Sequence, residues 1–322
     1  MQPAYDRYNR VINYLRISVT DRCNLRCIYC MPPEGIPLIS HDEILSFEEI
    51  IAVVRASVEM GINKVRLTGG EPLIRSDFVK LVSMIASVDG ITDISMSTNG
   101  ILLSKYASEL MEAGLHRVNI SLDTLRSDRF KHITRTGNLS DVLKGIDAAY
   151  KVGLTPVKIN MVPLKGLNDD EILDFASLTL EAGWHVRFIE HMSIHEDAVS
   201  IPNHILFKTI ETLGHLEPFF DLPGSGPARY FRLPGARGTI GFISAVSEPF
   251  CQQCNRLRLS ASGILYPCLF SEKGVDIKKI LRGGKDTEEI KNQLKLAIER
   301  KPEKHSLANG KTPGKYMSRI GG

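Results

Sequence analysis

The first two thirds of the chain alternate between helical and strand-like patterns of apolar residues. Five segments share one order, in which a helical stretch is followed by a glycine and then by a run rich in Val and Ile; the glycines are Gly61, Gly90, Gly114, Gly153 and Gly183. A glycine directly after a helix is the usual left-handed cap, and the β-branched run after it is typical of a strand. Helical periodicity precedes most of these glycines, as in residues 46–60 and 141–151.

This alternation predicts parallel βαβ units. With residues 12–19 as an opening strand, six strands precede residue 191. Six units are too few for a closed eight-stranded barrel, so we predict an α/β fold with a partial, open (βα)6 barrel of the TIM type. A doubly wound sheet is the alternative. In both architectures ligands gather at the carboxyl ends of the strands.

The pattern changes after residue 225. A stretch rich in glycine and proline with short β-like pieces is followed by two amphipathic stretches, 275–282 and 287–299, and by a polar tail that ends in YMSRIGG. We therefore predict two domains, with residues 1–225 forming the barrel and residues 226–322 a smaller C-terminal domain.

Composition and charge narrow the class of protein. Of 322 residues, 43% are hydrophobic and 24% charged, as in ordinary soluble proteins. The apolar runs are far shorter than the roughly 18 residues that cross a bilayer, and the polar start of the chain lacks a signal-peptide core. We therefore expect a cytoplasmic protein with no membrane partner. A net charge of +3 is too small to recruit nucleic acid, so an anionic ligand would need a local basic cluster.

The six cysteines fall into two groups of three. The first triplet is Cys23, Cys27 and Cys30, and the second is Cys251, Cys254 and Cys268. Three cysteines cannot pair among themselves, and a reducing cytosol disfavours disulfides. Zinc would need a fourth ligand; His41 is the nearby candidate at the first triplet, whereas no histidine occurs between His215 and His305. Three thiolates suit an iron–sulfur cubane that leaves one iron open, with zinc as the alternative.

Motifs beside the first triplet point to a family. The sequence CNLRCIYC at 23–30, with GGEP at 69–72 after the next predicted strand, resembles the radical S-adenosylmethionine enzymes. The resemblance implies that the open iron of a [4Fe-4S] cluster binds S-adenosylmethionine and that an electron donor reduces the cluster.

Further motifs narrow the resemblance to one family of these enzymes. Residues 157–172, 238–244 and 249–270 and the final two glycines are similar to the GTP 3′,8-cyclases of molybdenum cofactor biosynthesis. This similarity implies two [4Fe-4S] clusters and a lyase that converts GTP to 3′,8-cyclo-7,8-dihydro-GTP. It further implies that the product passes to cyclic pyranopterin monophosphate synthase, and it leaves a homodimer open. Two rival functions remain: another two-cluster radical enzyme acting on a peptide or sugar, and a non-catalytic iron–sulfur or zinc protein.

The resemblance also implies roles for individual residues. Both triplets would ligate clusters, and the S-adenosylmethionine site would comprise Tyr29, Gly70, Ser121 and Met192, with Gly69 and Asp123 beside them. The GTP site would comprise Arg16, Arg66, Ser97, Lys158, Arg256, Leu257 and Arg258, and Gly321 and Gly322 would form a catalytic tail. Simpler roles compete with these: a tight turn for the glycines, core packing for Met192 and solvated charge for the basic residues.

Two positions depart from the family pattern. Ser97 stands where threonine is usual, and the sequence SIHE follows Met192 in place of Pro-x-Gly. The first change keeps the hydroxyl, and the second leaves the four residues after Met192 without the proline and glycine of the family pattern.

Overall fold

One large open sheet organises the chain in the computed structural model, which describes residues 3–192, 199–224, 226–284 and 286–305. The strands are β1 Ala4–Tyr5, β2 Val11–Ile12, β3 Tyr14–Ser18, β4 Lys64–Thr68, β5 Asp93–Thr98, β6 Arg117–Ser121, β7 Lys158–Met161, β8 His185–Ile189, β9 Glu217–Phe219, β10 Arg229–Arg232, β11 Thr239–Ile243, β12 Arg256–Leu259, β13 Ile264–Tyr266 and β14 Val275–Asp276. The α-helices are α1 Phe47–Glu59, α2 Phe78–Ala86, α3 Leu103–Glu112, α4 Ser127–Thr134, α5 Leu139–Lys151, α6 Ile172–Glu181, α7 Asn203–Ile210, α8 Lys278–Arg282 and α9 Thr287–Glu299.

Twelve strands of the described chain form this sheet, in the order β14-β13-β12-β3-β4-β5-β6-β7-β8-β11-β10-β9. The run from β12 to β11 pairs in parallel throughout, and the outer strands pair antiparallel. Strands β3 to β8 are the six predicted from the repeated pattern. The predicted α/β class with a partial barrel is confirmed.

Local sequence explains the βα units, and α1 is an example. Ser46 caps it, since the Ser46 hydroxyl accepts from the Glu49 amide at 3.1 Å while the Glu49 carboxylate accepts from the Ser46 amide at 2.7 Å. The buried side chains of Ile50 and Val54 form its core-facing stripe. The helix gives way to Gly61, whose φ of +84° favours glycine.

Residues after 225 extend the sheet at both of its ends. Strand β11 pairs in parallel with β8, and β12 pairs in parallel with β3. Ile243 of β11 and Arg258 of β12 line the same cavity, so the sheet curls until the first and last strands of its parallel run face each other. The predicted stretch 275–282 contains β14 and α8, while the stretch 287–299 coincides with α9.

The core lies between the sheet and its helices. Leu67, Ile120 and Phe188 on strands and Leu81 and Phe175 on helices are among its fully buried members. Within the described ranges, no helix has both the length and the apolar character needed to span a bilayer.

Candidate active site between two cysteine triplets

A single cavity inside the curled sheet contains both cysteine triplets. All six cysteines line it, each is partly exposed, and none forms a disulfide. Residues far apart in the chain therefore share one space.

The triplets lie at opposite edges of the parallel strands. Cys23 follows the carboxyl end of β3, whereas Cys254 precedes the amino end of β12. Because β12 runs parallel to β3, with Arg256 opposite Tyr14, residues before β12 lie at the amino-terminal edge of β3. The Asn13 amide accordingly donates to the Asn255 carbonyl at 3.3 Å. The cavity thus extends from the carboxyl ends of the parallel strands to their amino ends.

Close backbone contact holds the loop of the first triplet against the GGEP segment. The Gly70 amide donates to the Thr20 carbonyl at 2.9 Å, and the Glu71 amide donates to the Arg22 carbonyl at 2.8 Å. A Cβ atom at Gly70 would lie 2.2 Å from the Arg22 carbonyl oxygen. Only glycine permits this approach.

The thiols of the first triplet lie in surroundings that disfavour a bare thiolate. Burial raises the pKa of Cys23 to about 12, and burial raises the pKa of Cys27 well above its ordinary value. Thiolates buried in this way need a cationic partner, which iron supplies. The donor set of the first triplet therefore fits an iron–sulfur cluster.

A positive environment distinguishes the second triplet. Burial alone would raise the pKa of Cys254, but Lys301 and Arg256 outweigh it and the pKa is lowered. Burial raises the pKa of Cys268. In the described part of the chain, no three His, Cys or carboxylate side chains gather tightly enough to hold a single metal ion. A cubane does not require such convergence, because its ligands bind different irons.

Glu71 of GGEP is a buried carboxylate that joins neighbouring strand ends. Its oxygens accept from the Thr98 hydroxyl at 2.8 Å and from the amides of Asn99 and Leu73 at 2.7 and 3.1 Å. Burial raises the Glu71 pKa to about 7, although these hydrogen bonds act to lower it. The sequence analysis gave Glu71 no role.

The four residues predicted for S-adenosylmethionine all line the cavity; they are Tyr29, Gly70, Ser121 and Met192. The Tyr29 hydroxyl donates a short hydrogen bond to Asp123. The other oxygen of Asp123 accepts from the Val162 amide at 2.9 Å. Burial raises the Asp123 pKa to about 6. The carboxylate therefore fixes the ring that lies between the first-triplet cysteines.

Most of the predicted GTP residues also line the cavity: Arg16, Arg66, Ser97, Arg256 and Arg258. Arg258, Arg16 and Arg66 lie opposite one another on three adjacent strands. Burial and then repulsion from Arg258 and Arg66 lower the Arg16 pKa well below its usual range. Buried like charges at this density are costly unless an anion accompanies them.

Two predicted residues lie beside the cavity wall. Lys158 is buried, and its Nζ donates to the Pro223 carbonyl at 2.5 Å and lies 5.6 Å from the centre of the Tyr230 ring. The Leu257 side chain packs in the hydrophobic core. Gly321 and Gly322 lie outside the described residues.

Arg187 and Tyr14 are among the cavity-wall residues that the sequence analysis missed. Arg187 is buried there, and its Nε donates to the Asn160 side chain at 2.8 Å. Its signal was a charge inside the apolar strand HVRFI, the same signal that Arg16 carries. Tyr14 lies under the guanidinium groups of Arg66 and Arg256, 5.6 and 6.0 Å from its ring centre. The sequence marks Tyr14 only as an apolar strand position.

Solved structures share the fold at low sequence identity. The Streptococcus suis protein SuiB bound to S-adenosylmethionine matches with a TM-score of 0.62 and 16% identity, covering 92% of this chain and 77% of that one. The native protein anSMEcpe with bound AdoMet matches with a TM-score of 0.56 and 16% identity, covering 86% and 81%.

Sequence relatives extend over almost the whole chain. GTP 3′,8-cyclase of Moorella thermoacetica is 50% identical over 321 residues, covering 98% of this chain and 99% of the relative. GTP 3′,8-cyclase of Thermodesulfovibrio yellowstonii is 50% identical over 323 residues with the same coverage. Residues 17–179 match the Radical SAM superfamily, and residues 184–307 match the family Molybdenum Cofactor Synthesis C. With two triplets at the ends of one arginine-lined cavity, the chain belongs to the radical SAM superfamily and, within it, to the GTP 3′,8-cyclase family.

Proposed function

We propose that this chain converts GTP to 3′,8-cyclo-7,8-dihydro-GTP, the first step of molybdenum cofactor biosynthesis. The observation that carries the proposal is the cavity itself, with three thiols at each edge and buried arginines on the wall between them. Two small molecules can therefore meet there, one at each triplet. The names of the relatives support the same activity.

The first triplet and its neighbours form the S-adenosylmethionine end of the proposed site. Cys23, Cys27 and Cys30 would hold one [4Fe-4S] cluster. When bound there, the cluster and S-adenosylmethionine would supply carbon-radical chemistry directed at the ribose of GTP, with the one electron from the cluster consumed in cleaving S-adenosylmethionine. The chain contributes position: Gly70 brings the GGEP backbone against the cysteine loop, and Asp123 holds the Tyr29 ring. Ser121 and Met192 would complete the pocket.

The wall between the triplets is the proposed GTP site. Arg16, Arg66, Arg256 and Arg258 would bind the triphosphate through charge-assisted hydrogen bonds. Arg187 joins this set because it is buried on the same cavity wall. The cations are already ordered before GTP arrives, which reduces the entropy lost on binding.

Three further predicted residues have narrower roles in this proposal. Ser97 lines the cavity, and its hydroxyl would donate to GTP. Leu257 would contact GTP through its backbone, since its side chain is in the core. Lys158 would exchange its bond to the Pro223 carbonyl for one to the triphosphate.

The second triplet would hold the second [4Fe-4S] cluster, with its open iron facing the guanine.

We place the boundary between barrel and C-terminal domain at residue 225. The C-terminal residues Gly321 and Gly322 would complete the reacting site. The proposed partners are a cytoplasmic electron donor and a downstream cyclic pyranopterin monophosphate synthase. They include neither nucleic acid nor membrane, and homodimerisation is left open.

One anaerobic assay tests the proposal. Reconstituted protein is mixed with GTP, S-adenosylmethionine and dithionite, and the products are separated and identified by mass spectrometry. We expect 5′-deoxyadenosine together with a new nucleotide that has the mass of GTP but a different chromatographic retention, because the cyclised product is an isomer of GTP. ATP in place of GTP is the matched control and should give no cyclised nucleotide.

The rival functions give different results in the same assay. Cleavage of S-adenosylmethionine with no change to GTP would favour a radical enzyme with another substrate. No cleavage by protein that carries its full iron would favour a non-catalytic iron–sulfur protein.

A further inference from the structure

Lys301 is a charged side chain in a place where lysine is rare. It is 2% exposed and follows Arg300, the C-cap residue of α9. Its Nζ donates to the Cys254 sulfur at 3.3 Å and to the carbonyls of Arg256 and Pro267 at 2.8 Å each. An ammonium has three N–H groups, and these three acceptors use all of them.

Independent contacts fix the segment that carries Lys301. Arg10 donates to the Pro302 carbonyl at 2.8 Å and to the Cys251 carbonyl at 2.7 Å. The buried Asp6 carboxylate pairs with Arg10 at 2.6 Å. One guanidinium therefore ties residue 302 to the loop of the second triplet. The position of Lys301 is thus fixed by hydrogen bonds from Arg10 to the backbone of the second-triplet loop and of its own segment.

The sulfur of Cys23 in the first triplet has different hydrogen-bond donors. The Cys23 sulfur accepts from the Leu25 amide at 3.4 Å and from the Asn99 side-chain amide at 3.9 Å. Both donors are neutral. At Cys254 the donor is the side-chain nitrogen of a lysine, a residue type with a formal positive charge, so the two sulfurs have electrostatically different donors.

We propose that Lys301 is a positioning residue that raises the reduction potential of the iron–sulfur cluster held by Cys251, Cys254 and Cys268. The proposal rests on the cluster assignment made above for the second triplet. One-electron reduction adds a negative charge to the cluster and its thiolates, and a buried positive charge bonded to a ligand sulfur stabilises that reduced form. Hydrogen bonds to sulfur and local charge are established determinants of cluster potential.

The test measures a potential and involves neither GTP nor product. A full-length protein with Cys23, Cys27 and Cys30 all changed to Ala carries only the second cluster, whose signal is followed by EPR during dithionite titration. In this background, Lys301→Met should shift the midpoint to a more negative potential. Lys301→Arg should stay close to the parent. Lys304→Met, which removes an exposed lysine three residues away, should leave the midpoint unchanged.

Each outcome decides the matter. An unchanged midpoint in Lys301→Met with full iron overturns the proposal. If Lys301→Met and Lys301→Gln both lose iron while Lys301→Arg retains it, the requirement for charge is upheld. Loss of iron in all three variants would show a purely steric role and overturn it. Absence of iron at the second triplet in the parent would refute the underlying assignment, and iron analysis detects this separately from any failure to convert GTP.

Discussion

The side-chain nitrogen of Lys158 donates a hydrogen bond to the Pro223 carbonyl at 2.5 Å, inside a group of cations. Burial, followed by repulsion from Arg187, Arg117 and Arg66, lowers the Lys158 pKa to about 6. Asp93 opposes this shift. Near neutral pH the free protein therefore holds Lys158 largely uncharged.

This arrangement predicts proton uptake when GTP binds. A triphosphate favours the charged ammonium, so the Lys158 pKa rises in the complex. Below about pH 6 Lys158 is already protonated in the free protein, so GTP binding takes up no proton there. Between this pH and the higher Lys158 pKa of the GTP complex, binding takes up a proton, and the affinity for GTP falls by at most about tenfold per pH unit. Anaerobic calorimetry at pH 7.5, in buffers of different ionisation enthalpy, measures the uptake. Lys158→Met should abolish it, and an equal uptake in that variant would contradict the assignment.

Iron content tests the two triplets. Reconstituted protein should bind about eight irons, because each cubane contains four. Cys23→Ala and Cys268→Ala should each remove about four, and the two variants serve as controls for each other. Stoichiometric, tightly bound zinc in place of iron at either triplet would refute the cluster assignment.

The arginines of the cavity wall should separate GTP binding from S-adenosylmethionine cleavage. Arg256→Ala, Arg258→Ala and Arg187→Ala should each weaken GTP binding by roughly ten- to a hundredfold, since a charge-assisted hydrogen bond is worth about 1.5–3 kcal/mol. Uncoupled cleavage should persist. Arg55→Ala, at an exposed position of α1, is the control and should bind GTP normally. Unchanged affinity in all three wall variants would place the triphosphate elsewhere.

Gly70 should not tolerate a side chain. In Gly70→Ala the new Cβ meets the Arg22 carbonyl oxygen at 2.2 Å, so the loop of the first triplet must shift, at a cost of roughly 1–3 kcal/mol. We expect a lower melting temperature and weaker binding of S-adenosylmethionine. Gly226→Ala is the matched control, because its nearest neighbour would be 3.9 Å away. Equal behaviour of the two variants would show that the close approach does not matter.

The last two residues lie outside the described part of the chain. We predict that they are needed for catalysis. Glycines lack Cβ atoms and can enter a crowded cavity. Deleting Gly321 and Gly322, or replacing both with alanine, should leave iron content and GTP affinity unchanged but abolish cyclised product. Iron analysis and calorimetry provide the controls. Normal product formation by the truncated protein would show that the tail has no catalytic part.

The sequence by itself determined the features that depend on near neighbours in the chain. Strands β4 to β8 were predictable because each apolar run follows a glycine cap within a few residues, as at Gly61 before β4, and β3 was predictable as an apolar run near the start of the chain. The cysteine triplets and Arg16 were visible because a cluster of thiols or a charge within an apolar strand is unusual wherever it occurs. The same signal would have identified Arg187, had it been applied to every strand.

Only the tertiary structure decided which distant segments meet. Strand β12 joins β3 in parallel across more than 200 positions of sequence, and this pairing places the second triplet at the amino-terminal edge of the strands. The tertiary structure also decided that the Lys158 side-chain nitrogen donates to the Pro223 carbonyl and that Lys301 donates to the Cys254 sulfur. Periodicity reports only which face of an element is buried, whereas pairing at sheet edges and contacts of single buried charges depend on packing between elements far apart in the chain.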